Sequence, residues 1–331
     1  MPIRTQKALF PIVRRLSDGA FHSGQELARE FGLSRASIFN VLRQAERLGL
    51  IIHAVRGRGY RLPDAVEWLS HAEVGRHLGA AHTAYDLNIL ETVDSTNSCL
   101  MSEAARGARD GTVMAAEHQF AGRGRRGRSW HAVPGGSLTF SVLWRFDAGL
   151  QALAGLSLAV GLAIARAINR HSRYPALLKW PNDVLVDYRK LAGILIEVQG
   201  DMHGTAFAVV GVGLNVQLRE AQRDTIDQAV IDLAEMGVDV GRNRLLADCL
   251  VELQEVVDIY RRYGFAALRK EWLALDAYID KPVTLHLANR QTVRGVGAGV
   301  DATGAFLLRL PDGTESAYSG GEISLRLDEH R

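Results

Sequence analysis

Nine residues near the middle of the chain, GRGRRGRSW from Gly122 to Trp130, hold four arginines and three glycines. Two phosphate-binding readings fit the pattern. Gly122-x-Gly124-x-x-Gly127 matches the dinucleotide fingerprint, and Gly122-x4-Gly127-Arg128-Ser129 differs from a P-loop by Arg in place of Lys. A third reading is a basic, disordered segment facing nucleic acid. The residues behind the loop decide among them. Both phosphate motifs need a helix directly after the last glycine, because the N–H groups of its first turn hold the phosphates. Here Pro134-Gly135-Gly136 leads instead into SLTFSVLWRF, in which Leu138, Phe140, Val142, Trp144 and Phe146 alternate with Thr139, Ser141 and Arg145, the pattern of a half-buried strand. Thr112 to Gln119 reads as the strand before it. The loop therefore joins two strands, which excludes NAD-type and P-loop enzymes. Its glycines let backbone N–H groups converge on an anion, and its arginines add planar, permanently charged forks for carboxylate or phosphate.

A chain of 331 residues with 47% hydrophobic content has enough apolar surface for two or three folded domains. The longest apolar run, Leu150 to Ile168, is interrupted by Gly155, Ser157, Gly161 and Arg166, and MPIRTQKALF lacks the apolar segment of a signal peptide, so the expectation is a soluble, cytoplasmic protein with no membrane partner. Cys99 and Cys249 stand alone, outside any C-x-x-C pattern, and the histidines form no H-E-x-x-H, so neither a disulfide framework nor a zinc cluster is expected. The net charge of +2 is unevenly divided: residues 1–63 hold eleven Lys/Arg against four Asp/Glu, which is +7 and leaves −5 for the rest. That asymmetry suits a DNA-facing head on a near-neutral body.

The head can be read locally. Ser23-Gly24-Gln25-Glu26 is a capping box that starts a helix with Leu27, Ala28 and Phe31 on one face. Gly32-Leu33-Ser34 makes the turn, and Ser34 caps a second helix that points Ile38, Val41, Leu42 and Ala45 inward. Arg35, Ser37, Asn40, Arg43 and Gln44 are left outside, able to reach base edges or phosphates from a major groove. Leu50 to Val55 and Tyr60 to Leu62 then flank Arg56-Gly57-Arg58-Gly59, the basic tip of a wing. A small helical domain with a solvated basic rim is the plainer alternative.

In the body, Glu67 to His82 reads as a connecting helix and Leu87 to Val93 as a strand. Asp94-Ser95-Thr96-Asn97 follows at a strand-to-helix junction, where a plain N-cap would also account for it. A long amphipathic helix covers Leu150 to Asn169. In LLKWPNDVLV, Lys179, Asn182 and Asp183 interrupt an apolar strand at a proline bend, and such polar groups cost free energy unless something pairs with them. Lys190, at the head of RKLAGILIE, fits either a site or a hairpin turn. Phe207 to Val216 is an apolar central strand, and Gly211-x-Gly213-x-Asn215 within it allows close backbone approach.

Taken together, Ser95-Thr96-Asn97, Gln119 with GRGRRGRSW, KWPND at Lys179 to Asp183, RKLAGILIE and GVGLN resemble, in order and approximate spacing, a bifunctional biotin protein ligase and biotin operon repressor. The resemblance covers nearly the whole chain. It implies an α+β multidomain fold: a winged helix-turn-helix over 1–65, a ligase domain with a mixed, class II synthetase-like sheet over 66–278, and an SH3-like β-barrel over 279–331. In the last of these, Asp301-Ala302-Thr303-Gly304 and Pro311-Asp312-Gly313 are the tight turns.

The resemblance further implies that biotin and Mg-ATP give biotinyl-5′-adenylate and pyrophosphate, and that a lysine of the biotin carboxyl carrier protein of acetyl-CoA carboxylase then takes the biotinyl group. In that scheme Ser95, Thr96, Asn97 and Gln119 hold the ring end of biotin. Arg123, Gly124, Arg125, Lys190 and Gly193 hold its carboxylate side. Arg126, Arg128, Trp130, Lys179, Asn182 and Asn215 bind ATP, with Mg2+ entering through the phosphates. Arg125 and Lys190 stabilise the developing charge, and Asp183 orients or deprotonates the incoming amine. Ser34, Arg35, Ser37, Asn40, Arg43, Arg56 and Arg58 face operator DNA, presented by a ligand-promoted homodimer. Phe120 and Ser129 depart from the family pattern at the loop's hinge and rim. A lipoate–protein ligase would use similar chemistry, against which Gln119 and the complete loop argue. A pure sensor would keep the pocket and the head but lose Lys190 or Asp183, and both are present.

Overall fold

The computed structural model describes residues 8–63, 66–202, 204–287, 291–319 and 324–327. The head opens with the helix Leu9–Leu16, followed by Gly24–Glu30, whose capping box forms in full, and Arg35–Arg47, whose Ser34 Oγ accepts from Ser37 N at 3.0 Å. Ile12, Leu16, Leu27, Ile38, Val41 and Ala45 close its separate core. The wing is a hairpin of β1 (His53–Val55) and β2 (Gly59–Arg61), with Ala54 opposite Tyr60. It starts later than the sequence reading because Leu50 turns into the core, its N–H donating to Ala45 O.

The expected helix from Glu67 is replaced by an extended strap, and helix begins only at His71–Leu78, behind the Ser70 cap. Tertiary bonds explain the difference. Asn243 Nδ2 donates to Glu67 Oε1, Trp68 Nε1 donates to Ser17 Oγ of the head, and Leu69 N donates to the buried Glu117 at 2.6 Å. Trp68 also meets Phe10 edge-on, with ring centroids 6.1 Å apart. The residues at the expected junction, 64 and 65, lie outside those described.

Seven strands form the body's sheet: β3 (Asp86–Val93), β4 (Thr112–Gln119), β5 (Ser137–Phe146), β6 (Leu177–Lys179), β7 (Asp183–Val186), β8 (Arg189–Gly200) and β9 (Ala206–Asn215). Their order is β3-β4-β5-β9-β8-β7-β6, with β3 and β4 parallel and the other pairs antiparallel, so the sheet is mixed as expected. β5 is buried on both faces rather than half-buried. Leu138, Phe140, Val142 and Trp144 face the helices Leu156–Asn169 and Arg242–Tyr263, while Leu143 packs under Leu100 of the helix Thr96–Ala105. The apolar run from Leu150 is likewise two elements, a 3-10 turn Leu150–Leu153 and the helix Leu156–Asn169, joined through Gly155 at φ 76°. By length and hydropathy Leu150–Asn169 could cross a membrane, but 61% of its most apolar window is buried in the core of this fold. The apolar stretch around KWPND also divides, into β6 and β7, with Lys179 paired to Asp183 across the turn.

A second, antiparallel sheet follows: β10 (Pro282–His286), β11 (Thr292–Val300), β12 (Phe306–Arg309), β13 (Glu315–Tyr318) and β14 (Ser324–Leu327), in the order β13-β12-β11-β10-β14. Both expected turns form, each held by an aspartate: Asp301 Oδ1 and Asp312 Oδ1 accept from Thr303 N and Thr314 N. Residues 288–290 and 320–323, part of the stretch read as a barrel, lie outside those described. This sheet docks on the body through Trp180, whose ring is 5.4 Å from that of Phe306 and whose Nε1 donates to Gly304 O.

Candidate active site

The glycine–arginine loop folds back on itself. Trp130 N donates to Gly122 O at 2.9 Å, Arg123 bridges Ser129, and Gly124 N donates to Arg128 O at 2.7 Å, which leaves Arg125–Gly127 as a one-turn tip. Arg126, at φ 58°, sits in the left-handed region and projects to solvent with Arg128. Arg125 instead turns toward the body, where its NH1 donates to Asn182 Oδ1 at 3.0 Å. Its desolvation lowers the guanidinium pKa from its ordinary value, with Asp183 pulling it back.

Beside the loop lies a cradle cut into β4, β5, β8 and β9. Ser95, Thr96, Asn97 and Gln119 are at most 9% exposed. Ser95 is the N-cap residue, but its Oγ makes no cap bond; the turn is held by Ser95 N donating to Asp94 Oδ1 at 2.7 Å. Gln119 Oε1 accepts from Thr96 N and Oγ1 at 2.7 and 3.1 Å. Ser141 Oγ lies 2.7 Å from Thr96 Oγ1 and 2.6 Å from Asn97 Oδ1. Asn97 Nδ2 donates to Leu195 O and to Glu197 Oε2, and Glu197 in turn binds Arg123 at 2.7 Å. A polar chain thus runs from the loop to the cradle floor.

The glycines of β9 are steric necessities. A Cβ on Gly211 would stand 2.1 Å from Asn97 Oδ1, and one on Gly213 would stand 2.3 Å from the Trp130 indole. Gly193 is less constrained: a Cβ there would meet the flexible end of Lys190 at 2.9 Å and the Trp130 ring at 3.4 Å. A cavity of about 50 Å³ remains among these groups.

That cavity opens into a larger basic cleft of about 690 Å³ lying against the second sheet. Gly124, Arg125, Trp130, Asn182 and Lys190 line both spaces. Lys190 Nζ is 2.8 Å from Asp183 Oδ1, an ion pair that lacks hydrogen-bond alignment, and the two side chains are 14% exposed. Lys190 is therefore not a solvated turn lysine. Lys179 lies 5.6 Å from the Tyr278 ring, and burial pushes its ammonium pKa below the ordinary value, with Asp183 opposing. Trp130 Nε1 is buried without a hydrogen-bond partner. Asn182 and Asn215 have their amide N–H groups engaged, the first with Ile194 O and the second with Lys190 O and Ile231 O, so Asn215 ties β8 to the segment beyond β9.

Several contributors were not visible in the sequence. Ser141 read as the outer face of a strand, and Glu197 only as the last residue of RKLAGILIE. Tyr278 and Arg326 reach the cleft only because the second sheet docks there. Phe120, one of the two departures, projects its ring outward at 70% exposure while its N–H donates to Val93 O.

In the head, Arg35, Asn40 and Arg43 lie exposed on the helix Arg35–Arg47, whereas Ser37 is half-buried and Ser34 is occupied in capping. Arg56 is exposed at the wing tip, and Arg58 lies over the Phe21 ring, 4.3 Å from its centroid.

Family models match all three parts of the chain: "Biotin/lipoate A/B protein ligase family" over residues 89–215, "HTH domain" over 9–61 and "Biotin protein ligase C terminal domain" over 278–326. The bifunctional ligase/repressor BirA of Salmonella typhimurium is 36% identical over 318 residues, covering 96% of this chain and 97% of that protein. Its Escherichia coli counterpart is 35% identical with the same coverage, and the biotin–[acetyl-CoA-carboxylase] ligase of Mycobacterium tuberculosis is 36% identical over 75% of this chain and 92% of its own. Among solved structures, the Aquifex aeolicus biotin protein ligase in complex with biotin and ATP is similar at a TM-score of 0.64 and 29% identity, over 73% of this chain and 99% of that one. The chain belongs to the biotin/lipoate A/B protein ligase family, in the branch that joins the ligase to a helix-turn-helix and acts as both ligase and repressor.

Proposed function

We propose that the chain activates biotin with ATP, transfers it to a carrier-protein lysine and, through its head, represses transcription from operator DNA. One observation carries the assignment of residues: the buried cradle and the basic cleft meet at Gly124, Arg125, Trp130, Asn182 and Lys190. Biotin's rings sit in the cradle on Ser95, Thr96, Asn97 and Gln119, with its carboxylate toward Gly124, Arg125, Lys190 and Gly193. ATP lies in the cleft among Arg126, Arg128, Trp130, Lys179 and Asn182, while Asn215, which lines a neighbouring cavity with Arg128, Trp130 and Lys190, supports the nucleotide site through its bonds to Lys190 O and Ile231 O. Arg123 acts through Glu197, holding the loop to Asn97.

Chemistry then takes place where the two spaces join. A biotin carboxylate oxygen bonds to the α-phosphorus while the bond to the bridging oxygen breaks and pyrophosphate leaves. Both reactants are anions, so Arg125 and Lys190 stabilise the charge that accumulates between them, and their partial desolvation strengthens that effect. Asp183 and Asp187 stand in the cleft among lysines and arginines. Among the described residues no group of three His, Cys, Asp or Glu side chains is placed to hold a metal, so Mg2+ would arrive on ATP oxygens, where it would neutralise phosphate charge, with Asp183 and Asp187 as the carboxylates within the cleft. In the second step the carrier amine attacks the acyl carbon, the bond to AMP breaks, and Asp183 takes the amine proton. The loop excludes water, which would otherwise hydrolyse the adenylate.

The carrier is the biotin carboxyl carrier protein of acetyl-CoA carboxylase, and a cytoplasmic location accompanies that substrate. The head, 1–65, is a unit distinct from the ligase part, 66–278, and the C-terminal part, 279–331. Ligand ordering of the loop favours a homodimer, so that two wings reach a palindromic operator. The test supplies Mg-ATP, radiolabelled biotin and a carrier domain, either wild type or with its acceptor lysine changed to arginine. Label on the wild-type carrier alone supports the ligase; tight biotin binding without adenylate or transfer would reduce the body to a sensor.

A further inference from the structure

The helix Arg35–Arg47 carries one large apolar side chain that its fold does not use. Ile38, Val41, Leu42 and Ala45 are buried, yet Phe39 stands 54% exposed in the second turn. Its neighbours at four residues either way, Arg35 and Arg43, are both exposed, and Ala36 and Asn40 complete the outward surface of the first two turns. An aromatic ring in water between two cations contributes nothing to the head's core, which closes beneath it. The head as a whole carries +7, so the surface around Phe39 complements a polyanion. Arginines can dock such a helix on phosphates, but a phenyl ring finds no partner there. In a major groove the apolar feature at base level is the 5-methyl group of thymine.

We propose that Phe39 is a specificity-determining residue that selects thymine by contact with its methyl group, at one position in each half-site. The proposal rests on the DNA-binding reading of the head and adds to it a residue and a base. Phe39 lies far along the chain from the ligand cradle and takes no part in the ligase chemistry, so it can be changed without touching either.

The experiment selects bound duplexes from a pool randomised over its central base pairs, using the full-length chain with biotin and Mg-ATP. Each thymine of the selected duplex is then replaced singly by uracil, which removes only the methyl group. With wild-type protein, one replacement per half-site weakens binding about fourfold, the factor expected for burying a single methyl group. Phe39→Ala binds the thymine and uracil duplexes equally, retains biotin transfer, and selects duplexes without a preference for thymine at that position. A wild-type protein indifferent to every thymine-to-uracil change overturns the proposal without any variant, as does a Phe39→Ala protein that keeps the penalty. If wild type enriches no duplex at all, the DNA-binding reading fails and takes this proposal with it. Enrichment without methyl dependence overturns the proposal alone and points to a protein contact for the ring.

Discussion

In the cradle Thr96, Asn97 and Gln119 are buried and hydrogen-bonded to one another or to the sheet, whereas on the helix Arg35–Arg47 of the head Arg35, Asn40 and Arg43 lie open to solvent. Both surfaces are polar, but they meet their ligands in different states. Folding has buried the cradle's groups and set its donors and acceptors against one another, so a small ligand would meet groups that need little reorganisation. The helix keeps long, hydrated cations, whose binding to DNA draws on counterion release and weakens with salt. Rigid geometry should therefore govern the first site and net charge the second.

The largest expected effect is at the point where cradle and cleft meet. On the proposed assignment, Lys190→Ala removes a cation beside the transferring phosphoryl group and should slow adenylate formation by about 100- to 1,000-fold in a pyrophosphate-exchange assay. DNA binding by the unliganded protein should hold; equal loss in both assays would signal misfolding and erase the contrast between the two regions. Next is Gly211→Ala, whose methyl group would stand 2.1 Å from Asn97 Oδ1. Overpacking of this kind should weaken biotin binding about 10- to 100-fold by calorimetry. Unchanged affinity would mean that Asn97 swings aside and that the cradle is not rigid.

A smaller effect depends on pH. Burial lowers the Lys179 pKa, so its ammonium loses charge earlier on the alkaline side than an ordinary lysine does. ATP affinity should be full below that lowered pKa and fall as pH rises through it, and Lys179→Arg should move the limb to higher pH. An identical alkaline limb in the arginine variant would remove Lys179 from the nucleotide site. Smallest is Arg56→Ala at the wing tip. It should weaken DNA binding a few-fold and reduce the salt slope by about one ion, while leaving biotin affinity unchanged. A loss that does not vary with salt would place Arg56 at a base edge instead.

Elements with local signals were legible in the sequence. The capping box at Ser23, the Ser34 cap, the strand Thr112–Gln119 and the turns at Asp301 and Pro311 depend on near neighbours, and each forms as read. Elements whose state depends on distant partners were misread. Glu67 to Ser70 has helical residues but is pulled straight by Asn243, Glu117 and Ser17, and β5 alternates like a half-buried strand although helices cover both its faces. The motifs that line the cradle and the cleft were legible as a set, because glycine, arginine and interrupted-strand patterns are conspicuous; Ser141 and Glu197 were not, because each looks ordinary in its own strand.

By itself the sequence determined that the glycine–arginine loop lies between strands, that a basic helix-turn-helix leads the chain, and which motifs stand out from their strands. Those conclusions rest on periodicity, capping and steric rules that act over a few residues. Only the tertiary structure decided that Gly211 and Gly213 make room for Asn97 and Trp130, that Glu197 links Arg123 to the cradle, and that Lys190 faces Asp183 across two strands. The longest of these contacts join residues about a hundred positions apart or more, as in Asn97 with Glu197 and Asn97 with Gly211. Short-range rules carry no record of such pairings, which are set by strand order and by which face of the sheet each helix covers.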